Sequence, residues 1–363
     1  MAQSLLSDSR RAQLAPVGVA VLTVALASLS AMALSTLEAL AGGESRGINW
    51  ADVETQDLSR ITENVSPRSF RPAGLAVGDT ITRVQCLPGY TAALYAQGFS
   101  SPDGLAFSPS GLLHVAEETA GRVSRIEPGG STTTTVVSGL DSPEGITFDT
   151  DGNLYVVEDI QNGRLLQVAP GGGMTELATG LDAPEGVVWA SDGTTYITES
   201  NVQFDPLNLQ TRVTAVVSPG VTVLTTDTLS SYAGITLGTD GLLYVTNELS
   251  GAGVGTDDSI FTVDPVTGER TLFATGLIRP EGLRFAANGD FPLYVAEEDT
   301  GGGAGRLSRV EADGSHTPFC TGFGTIEDVI VDDSGRLYVS EDSTGYIVLI
   351  EYKVYLPIIM RND

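Results

Sequence analysis

The chain has 363 residues, of which 41% are hydrophobic, and its 46 acidic and 19 basic residues give a formal net charge of −27. A surface this acidic disfavours binding to nucleic acids and to anionic membranes, and it suits metal cations or cationic ligands. The only lysine of the sequence, Lys353, lies close to the C-terminus, so Schiff-base catalysis by a lysine is excluded from the body of the chain.

Residues 1–41 are predicted to be a signal peptide. The pair Arg10-Arg11 precedes an uncharged run over 12–37, and Ala39-Leu40-Ala41 offers a small-residue cleavage site. This order is typical of export signals. The run is also long enough to cross a bilayer, so an uncleaved signal anchor is the alternative. The sequence therefore predicts a secreted, extracellular or periplasmic protein, with an N-terminal membrane anchor as the second possibility.

Residues 42–88 are polar, show little periodicity and are predicted to form a linker or N-terminal extension. They include Cys86, and the second cysteine of the chain is Cys320. An even pair in an exported protein favours a disulfide, whereas two unrelated buried thiols are the alternative. Spacing alone does not decide between them, because the distance between the two residues is not readable from sequence.

A short phrase recurs six times in the body of the chain. One copy reads Pro-Glu-Gly-Ile-Thr-Phe from Pro143 and continues to Leu-Tyr-Val-Val-Glu at 154–158. The residue after the initial proline is called the first anchor, and the residue that ends the second apolar run is called the second anchor. The spacing between successive first anchors is 41, 41, 48, 48 and 46 residues. Such a period indicates a repeat architecture.

A complete copy is predicted to contain four strands. Alternating apolar residues flank a turn such as Asp151-Gly152, and Asp-Gly supplies the positive φ that a tight hairpin needs. Four strands in 41–48 residues is the period of a propeller blade. The sixth copy has only three strands, and Tyr90–Gly98 reads as an unpaired fourth strand. We therefore predict an all-β, six-bladed β-propeller over 89–352, whose last blade is closed by this N-terminal strand, with an apolar C-terminal tail at 353–363.

The phrase Pro-Glu-Gly-Ile-x-Phe followed by Gly-x-Leu-Tyr-Val-x-Glu resembles NHL repeats and the six-bladed superfamily of SMP-30/gluconolactonase-like proteins. The resemblance extends from Tyr90 to Tyr352. It implies a propeller with a calcium ion or another divalent cation at one mouth of the central channel, held in part by a glutamate of a Glu-Gly pair. Glu144, Glu185 and Glu281 stand in such pairs. The family also uses asparagine ligands, and no asparagine occupies a first anchor here.

The first anchors are predicted to form a ring of carboxylates at the mouth. Crowded carboxylates must be protonated, paired with arginine or bound to a cation, and hard oxygen ligands favour Ca²⁺ over other divalent ions. Backbone capping is the alternative role. As candidate catalytic residues we take Glu281 and Glu327, by position. The predicted metal ligands are Asp103, Glu144, Glu185, Glu281 and Glu327, with Ala233 interrupting the ring.

The second anchors form a further ring of Glu117, Glu158, Glu199, Glu297 and Glu341, with Asn247 as its neutral member. An arginine follows most of them, at Arg122, Arg164, Arg212 and Arg306. A glutamate that ends one strand and an arginine that opens the next predict a cross-hairpin ion pair. These glutamates are therefore expected to be structural, and a place in the mouth is the alternative.

Two classes of function remain open from the sequence. The acidic mouth, flanked by loop insertions at 201–211 and 249–258 that could act as lids, favours a cation-dependent hydrolase of a small lactone or ester. The two histidines, His114 and His316, fall outside the predicted mouth, which disfavours histidine-dependent chemistry. The lack of histidine at the mouth and of asparagine at the first anchors favours a non-catalytic propeller that binds a small-molecule ligand or an extracellular protein. A monomer without nucleic-acid or membrane partners is expected in either case.

Overall fold

The computed structural model describes residues 75–200, 210–228, 231–248, 258–298 and 304–353. Within them the chain forms six four-stranded antiparallel blades, which confirms the predicted six-bladed propeller. Among these residues no helix is long and apolar enough to span a membrane. The predicted signal segment 1–41, most of the insertions and the tail 354–363 lie outside the described residues.

Blades one to three follow one another along the chain, each with its first strand innermost and its fourth strand outermost. Blade one contains β3 (Pro102–Phe107), β4 (Leu113–Glu117), β5 (Arg122–Ile126) and β6 (Thr133–Ser138). Blade two contains β7 (Pro143–Phe148), β8 (Leu154–Glu158), β9 (Gln161–Val168) and β10 (Met174–Asp182). Blade three contains β11 (Pro184–Trp189), β12 (Thr195–Ser200), β13 (Gln210–Val217) and β14 (Gly220–Thr228).

Blades four to six differ in their outer strands. Blade four contains β15 (Tyr232–Leu237), β16 (Leu243–Asn247), β17 (Ser259–Val263) and β18 (Arg270–Thr275). Blade five contains β19 (Pro280–Phe285), β20 (Leu293–Glu297), β21 (Arg306–Val310) and β22 (His316–Thr321), and β1 (Gln85–Cys86) adds a fifth strand. Blade six contains β23 (Ile326–Val331), β24 (Leu337–Glu341) and β25 (Tyr346–Tyr352), a 3-10 turn over Asp342–Thr344, and β2 (Tyr90–Gln97).

The ring is closed by pairing the two ends of the body. β2 lies antiparallel to β25, and Tyr90 is the register partner of Tyr352. The N-terminal strand therefore completes the last blade, as predicted. This pairing removes two free sheet edges, which would otherwise be open to aggregation.

The six inner strands contact one another in ring order, with β23 closing on β3. Five of them carry glycine immediately after the first anchor, and a Cβ atom at Gly104 would overlap the carbonyl oxygen of Glu144 in the next blade. Glycine is therefore required for the close approach of the inner strands. The sixth strand has Asp328 instead, and its Oδ2 accepts a hydrogen bond of 2.9 Å from the Leu105 N–H.

The second strands form the core of each blade. All five residues of β4, β8, β16, β20 and β24 are buried, because each strand lies between its own blade's neighbours and the adjacent blades. Apolar clusters fill the spaces between blades, such as the one that joins Ala116 to Val156 and Leu166. Six such clusters of buried apolar residues hold the blades together.

Residues 75–88, the described part of the predicted extension, lie against blades five and six. Thr80 forms a bridge with Ala93 of β2, and Ile81 is 2% exposed. Cys86 and Cys320 are joined by a disulfide that links β1 to β22. Of the two alternatives that the sequence left open for the cysteines, the structure therefore has the disulfide.

Candidate functional site

The inner strands begin at one end of the central channel. This end, the acidic mouth, contains a cavity of about 350 Å³. The five first-anchor carboxylates all line it, namely Asp103, Glu144, Glu185, Glu281 and Glu327, and Ala233 lines it from the fourth blade. The structure thus brings these residues together. Their role as metal ligands, and that of Glu281 and Glu327 as catalytic bases, remain predictions.

Their position follows from the start of each inner strand. Pro102 opens β3 and is the register partner of Glu117, and the ladder then shifts before Leu105. Proline is tolerated at a strand start because no ladder hydrogen bond from its nitrogen is required there. The irregular register leaves Asp103 beside the channel, and the same shift recurs in the other blades.

Their surroundings raise the pKa values of all five first-anchor carboxyls. Burial raises the pKa of Asp103, Glu144 and Glu281 well above the usual range, and neighbouring carboxylates add to the increase. Glu185 and Glu327 behave in the same way, again chiefly because of burial. A cation that entered this mouth would offset the repulsion and favour the ionised form of these carboxyls.

A second group of acids, which the sequence analysis did not single out, surrounds the first. These outer acids directly follow the second anchors, at Glu118, Asp159, Glu248, Glu298 and Asp342, with Ser200 in blade three. Backbone hydrogen bonds hold four of these five acids beside the inner strands; the Glu248 N–H, for example, donates to the Ser231 carbonyl at 2.7 Å. Asp159 is the neighbour that raises the pKa of Glu144 most after burial. The sequence feature that could have identified these outer acids is the acidic doublet at the end of the second strand, such as Glu117-Glu118.

Three carboxylates lie close enough to share one metal ion. Glu248, Glu281 and Glu298 each offer an oxygen within 4.8 Å of the other two. Glu281 and Glu248 are also hydrogen-bonded to each other, which contributes to the raised pKa of Glu281 after burial and charge repulsion. A divalent cation fits this donor set, because carboxylate oxygens are hard ligands of the kind that Ca²⁺ and Mg²⁺ prefer. We call these three residues the carboxylate cluster.

Two arginines share the cavity with eight acidic side chains. Arg279 contacts the carboxylate cluster: its Nε lies 3.1 Å from Glu248 Oε1 and its Nη2 contacts Glu298 Oε2. Arg284 lies deeper in the channel, where its Nη1 donates to the Ile235 carbonyl at 3.2 Å and its Nη2 lies 3.9 Å from Asp328. The cavity therefore retains a large excess of acid.

The second anchors do not line this cavity. Their glutamates are buried between blades and paired with arginine; in blade one, Arg122 Nε and Nη2 donate to Glu117 at 2.7 and 2.8 Å. Ser124 Oγ donates to the same carboxylate at 2.5 Å, and the Ser100 N–H donates at 3.1 Å. The predicted ion pairs of Arg164, Arg212 and Arg306 are present as well.

In two blades the second anchor is not paired with an arginine of the next strand. Blade six has Tyr346 opposite Glu341, and the guanidinium comes instead from Arg83, whose Nη2 donates to Glu341 Oε2 at 2.5 Å. Blade four replaces both partners, with Asn247 opposite Ser259. A buried carboxylate thus has an arginine partner wherever it occurs at a second anchor. The second ring is therefore structural, as its favoured interpretation predicted.

Neither histidine lies among the residues that line the cavity. His114 packs edge-on against Phe148, and burial lowers its pKa to about 4. The Nε2 of His316 lies 3.2 Å from the Thr275 carbonyl oxygen on the outside of blade five. Histidine catalysis at the acidic mouth is therefore not supported by the described residues. The predicted lid segments fall almost wholly on 201–209 and 249–257, outside those residues.

Solved structures with the same architecture include enzymes of several kinds. A gluconolactonase from Xanthomonas campestris is 17% identical, with a TM-score of 0.61 over 74% of this chain and 91% of that one. A calcium structure of a Trichoderma reesei carbohydrate-active enzyme of family AA12 is 15% identical, with a TM-score of 0.57 over 77% and 99%. Virginiamycin B lyase from Staphylococcus aureus is 16% identical, with a TM-score of 0.52 over 74% and 99%.

These likenesses establish the fold. The predicted resemblance to gluconolactonase-like propellers is confirmed at that level, since gluconolactonase and virginiamycin B lyase propellers are structural neighbours of this chain. No protein-family profile matches the sequence, and no curated protein matches it.

Proposed function

We propose that this propeller is a divalent-cation-dependent hydrolase of a small lactone or ester, acting at the acidic mouth. The observation that carries the proposal is the carboxylate cluster of Glu248, Glu281 and Glu298 inside a cavity of about 350 Å³. That volume suits one ion and one small molecule. The gluconolactonase neighbour and the calcium structure of another neighbour support this choice of reaction and ion.

The carboxylate cluster would hold the cation, with Ca²⁺ as the first candidate. A bound divalent cation supplies Lewis acidity to a carbonyl oxygen. Glu327 lies in the same cavity, and burial raises its pKa well above the usual range. A carboxylate with a raised pKa is an effective general base. Glu327 would take a proton from water as the water oxygen attacks the carbonyl carbon.

The ring C–O bond of the lactone then breaks, and the proton held by Glu327 passes to the departing alkoxide oxygen. The product is the open-chain hydroxy acid, and no redox partner is needed. Of the two residues chosen as catalytic from the sequence, Glu281 therefore serves as a metal ligand and Glu327 as the base. Export from the cytoplasm and the monomeric state remain part of this proposal.

The test combines metal content with hydrolysis. Purified full-length protein is desalted, its calcium and manganese content is measured by mass spectrometry, and glucono-δ-lactone and aryl acetates are assayed with and without chelator. We expect about one ion per chain and chelator-sensitive hydrolysis. Glu327→Gln should reduce kcat/KM about 100-fold or more while retaining the ion, whereas the exposed control Glu269→Gln should change neither.

A non-catalytic binding propeller is the second candidate. The contact of Arg279 with Glu248 and Glu298 favours it, because the guanidinium already pairs with two of the three cluster carboxylates. A protein that retains no ion and hydrolyses none of the substrates would support this candidate and reject the hydrolase.

A further inference from the structure

Arg279 breaks the symmetry of the acidic mouth. It occupies the position immediately before an inner strand, and the other blades have small residues there: Ser101, Ser142, Ala183, Ser231 and Thr325. It is thus the one long, charged side chain in this series. Its φ of 45° lies in the left-handed region, where a non-glycine residue persists only when its surroundings hold it.

The backbone of Arg279 is held on both sides. Its N–H donates to Asp258 Oδ2 at 3.0 Å, and its carbonyl accepts the Glu298 N–H at 3.0 Å. The guanidinium is less constrained, because its contacts are with Glu248 and Glu298 and the side chain is 38% exposed. The head group can therefore leave the carboxylate cluster without disturbing the core.

The guanidinium and a metal ion would require the same carboxylate oxygens. Arg279 engages two of the three residues whose oxygens lie within 4.8 Å of one another. A divalent ion bound there would lie next to the guanidinium, and neighbouring charges of +1 and +2 repel strongly in a partly buried site. Occupation by one therefore disfavours occupation by the other.

We propose that Arg279 is an internal counter-cation that exchanges with the divalent ion of the carboxylate cluster. This rests on the proposed function, because both use the same three carboxylates. In the metal-free protein the guanidinium offsets the repulsion between Glu248 and Glu298. Metal entry releases it toward the cavity, where its five N–H donors can hold an anionic oxygen of the ligand. Cation binding thereby creates an anion-binding group.

The proposal is tested by cation affinity, which does not depend on catalysis. Mn²⁺ and Ca²⁺ are titrated calorimetrically into full-length wild type, Arg279→Gln and the matched control Arg284→Gln. Both variants remove one positive charge from the same cavity, but only Arg279 contacts the carboxylate cluster. We expect Arg279→Gln to tighten binding about 10-fold, the combined effect expected of losing two ion pairs, and Arg284→Gln to tighten it less than about 3-fold.

A conservative variant guards against misfolding. Arg279→Lys keeps the charge but, as a compact ammonium, cannot span two carboxylates as the planar fork does, so an intermediate gain of about 3-fold is expected. Equal gains for Arg279→Gln and Arg284→Gln would reduce the effect to net charge and overturn the exchange. Cation binding that is unchanged or weaker in both Arg279 variants would also overturn the exchange. The same holds if neither the wild type nor the variants bind Mn²⁺ or Ca²⁺.

Hydrolysis measured on the same samples separates this inference from the proposed function. If wild type binds the ion and hydrolyses the lactone but Arg279→Gln binds no more tightly, the exchange fails and the hydrolase stands. If the affinities change as expected and no substrate is hydrolysed, the exchange stands and the hydrolase fails.

Discussion

Blade four contains a natural replacement for the buried ion pair of the other blades, and copying it into blade one makes a quantitative test. The double variant Glu117→Asn/Arg122→Ser reproduces the Asn247–Ser259 pair at the equivalent register positions. In blade four Asn247 Oδ1 still accepts the Ser231 N–H at 3.1 Å. The neutral pair therefore preserves the link to the loop before the inner strand, which Glu117 maintains through Ser100 in blade one.

The single change Arg122→Ser should be more costly than the double change. It leaves the fully buried Glu117 with two of its four hydrogen bonds, those from Ser124 and Ser100. Breaking a buried pair by removing one partner costs about 3–5 kcal/mol. We expect about 3 kcal/mol, the lower end of that range, because two donors remain and Arg122 itself was 39% exposed.

The other two corners of the cycle follow from the same contacts. Glu117→Asn leaves a guanidinium that can turn into water, so about 2 kcal/mol is expected. The double variant contains no buried charge and should cost about 1–2 kcal/mol, less than the sum of the two single changes. The coupling energy is then about 3 kcal/mol or slightly more.

Urea unfolding followed by far-ultraviolet circular dichroism, at pH 7 and pH 4, gives the four free energies. The hydrogen bonds from Arg122 and Ser124 outweigh the effect of burial and lower the pKa of Glu117. A lowered carboxyl pKa contributes stability above the unfolded value, which is lost as the pH falls through the folded value. The coupling should therefore shrink at pH 4. A double variant as unstable as the sum of the single variants, or a coupling that grows at pH 4, would refute the reasoning.

Three further outcomes are expected. Replacing the disulfide with Cys86→Ser/Cys320→Ser should cost about 2–5 kcal/mol in thermal or urea unfolding, and reductant should then have no further effect; an unchanged stability would contradict this. Gly145→Ala should cost about 3 kcal/mol or more, because its Cβ would overlap the backbone of the next inner strand, whereas Gly171→Ala, which meets nothing within 4 Å, should be nearly neutral. Burial raises the pKa of Glu144 and the other first-anchor carboxyls, so their contribution to stability is present at low pH and is lost as the pH rises through the raised values. In chelator the melting temperature should therefore fall from pH 5 to pH 8, Glu144→Gln should flatten that fall, and a melting temperature that rises over this range would contradict the assignment.

The architecture was predictable because it depends on features that repeat. The constant distance between anchors, the Asp-Gly turns and the unmatched strand at Tyr90 are local patterns, and each is dictated by backbone geometry. Even the closure of blade six followed from counting strands. The five first-anchor carboxylates were predicted at one mouth because they stand at the same position in successive repeats of the propeller.

The rest of the site depended on contacts between distant parts of the chain. Glu117 is the last residue of β4 and is buried, whereas the next residue, Glu118, follows the strand and is near enough to the acidic mouth to raise the pKa of Asp103. Sequence spacing did not show which of the two faced the channel. Arg83 lies 258 residues before Glu341, and a periodic pattern contains no information about a partner supplied from outside the repeat.

The pairing of β2 with β25 also constrains when this protein can take shape. Tyr90 cannot pair with Tyr352 until Tyr352 has been synthesised. At a synthesis rate of about 5–20 residues per second, the interval between the two residues is about 13–52 s. During that time the apolar β2 has no partner strand, and the sixth blade does not exist. The finished ring is therefore a property of the completed polypeptide.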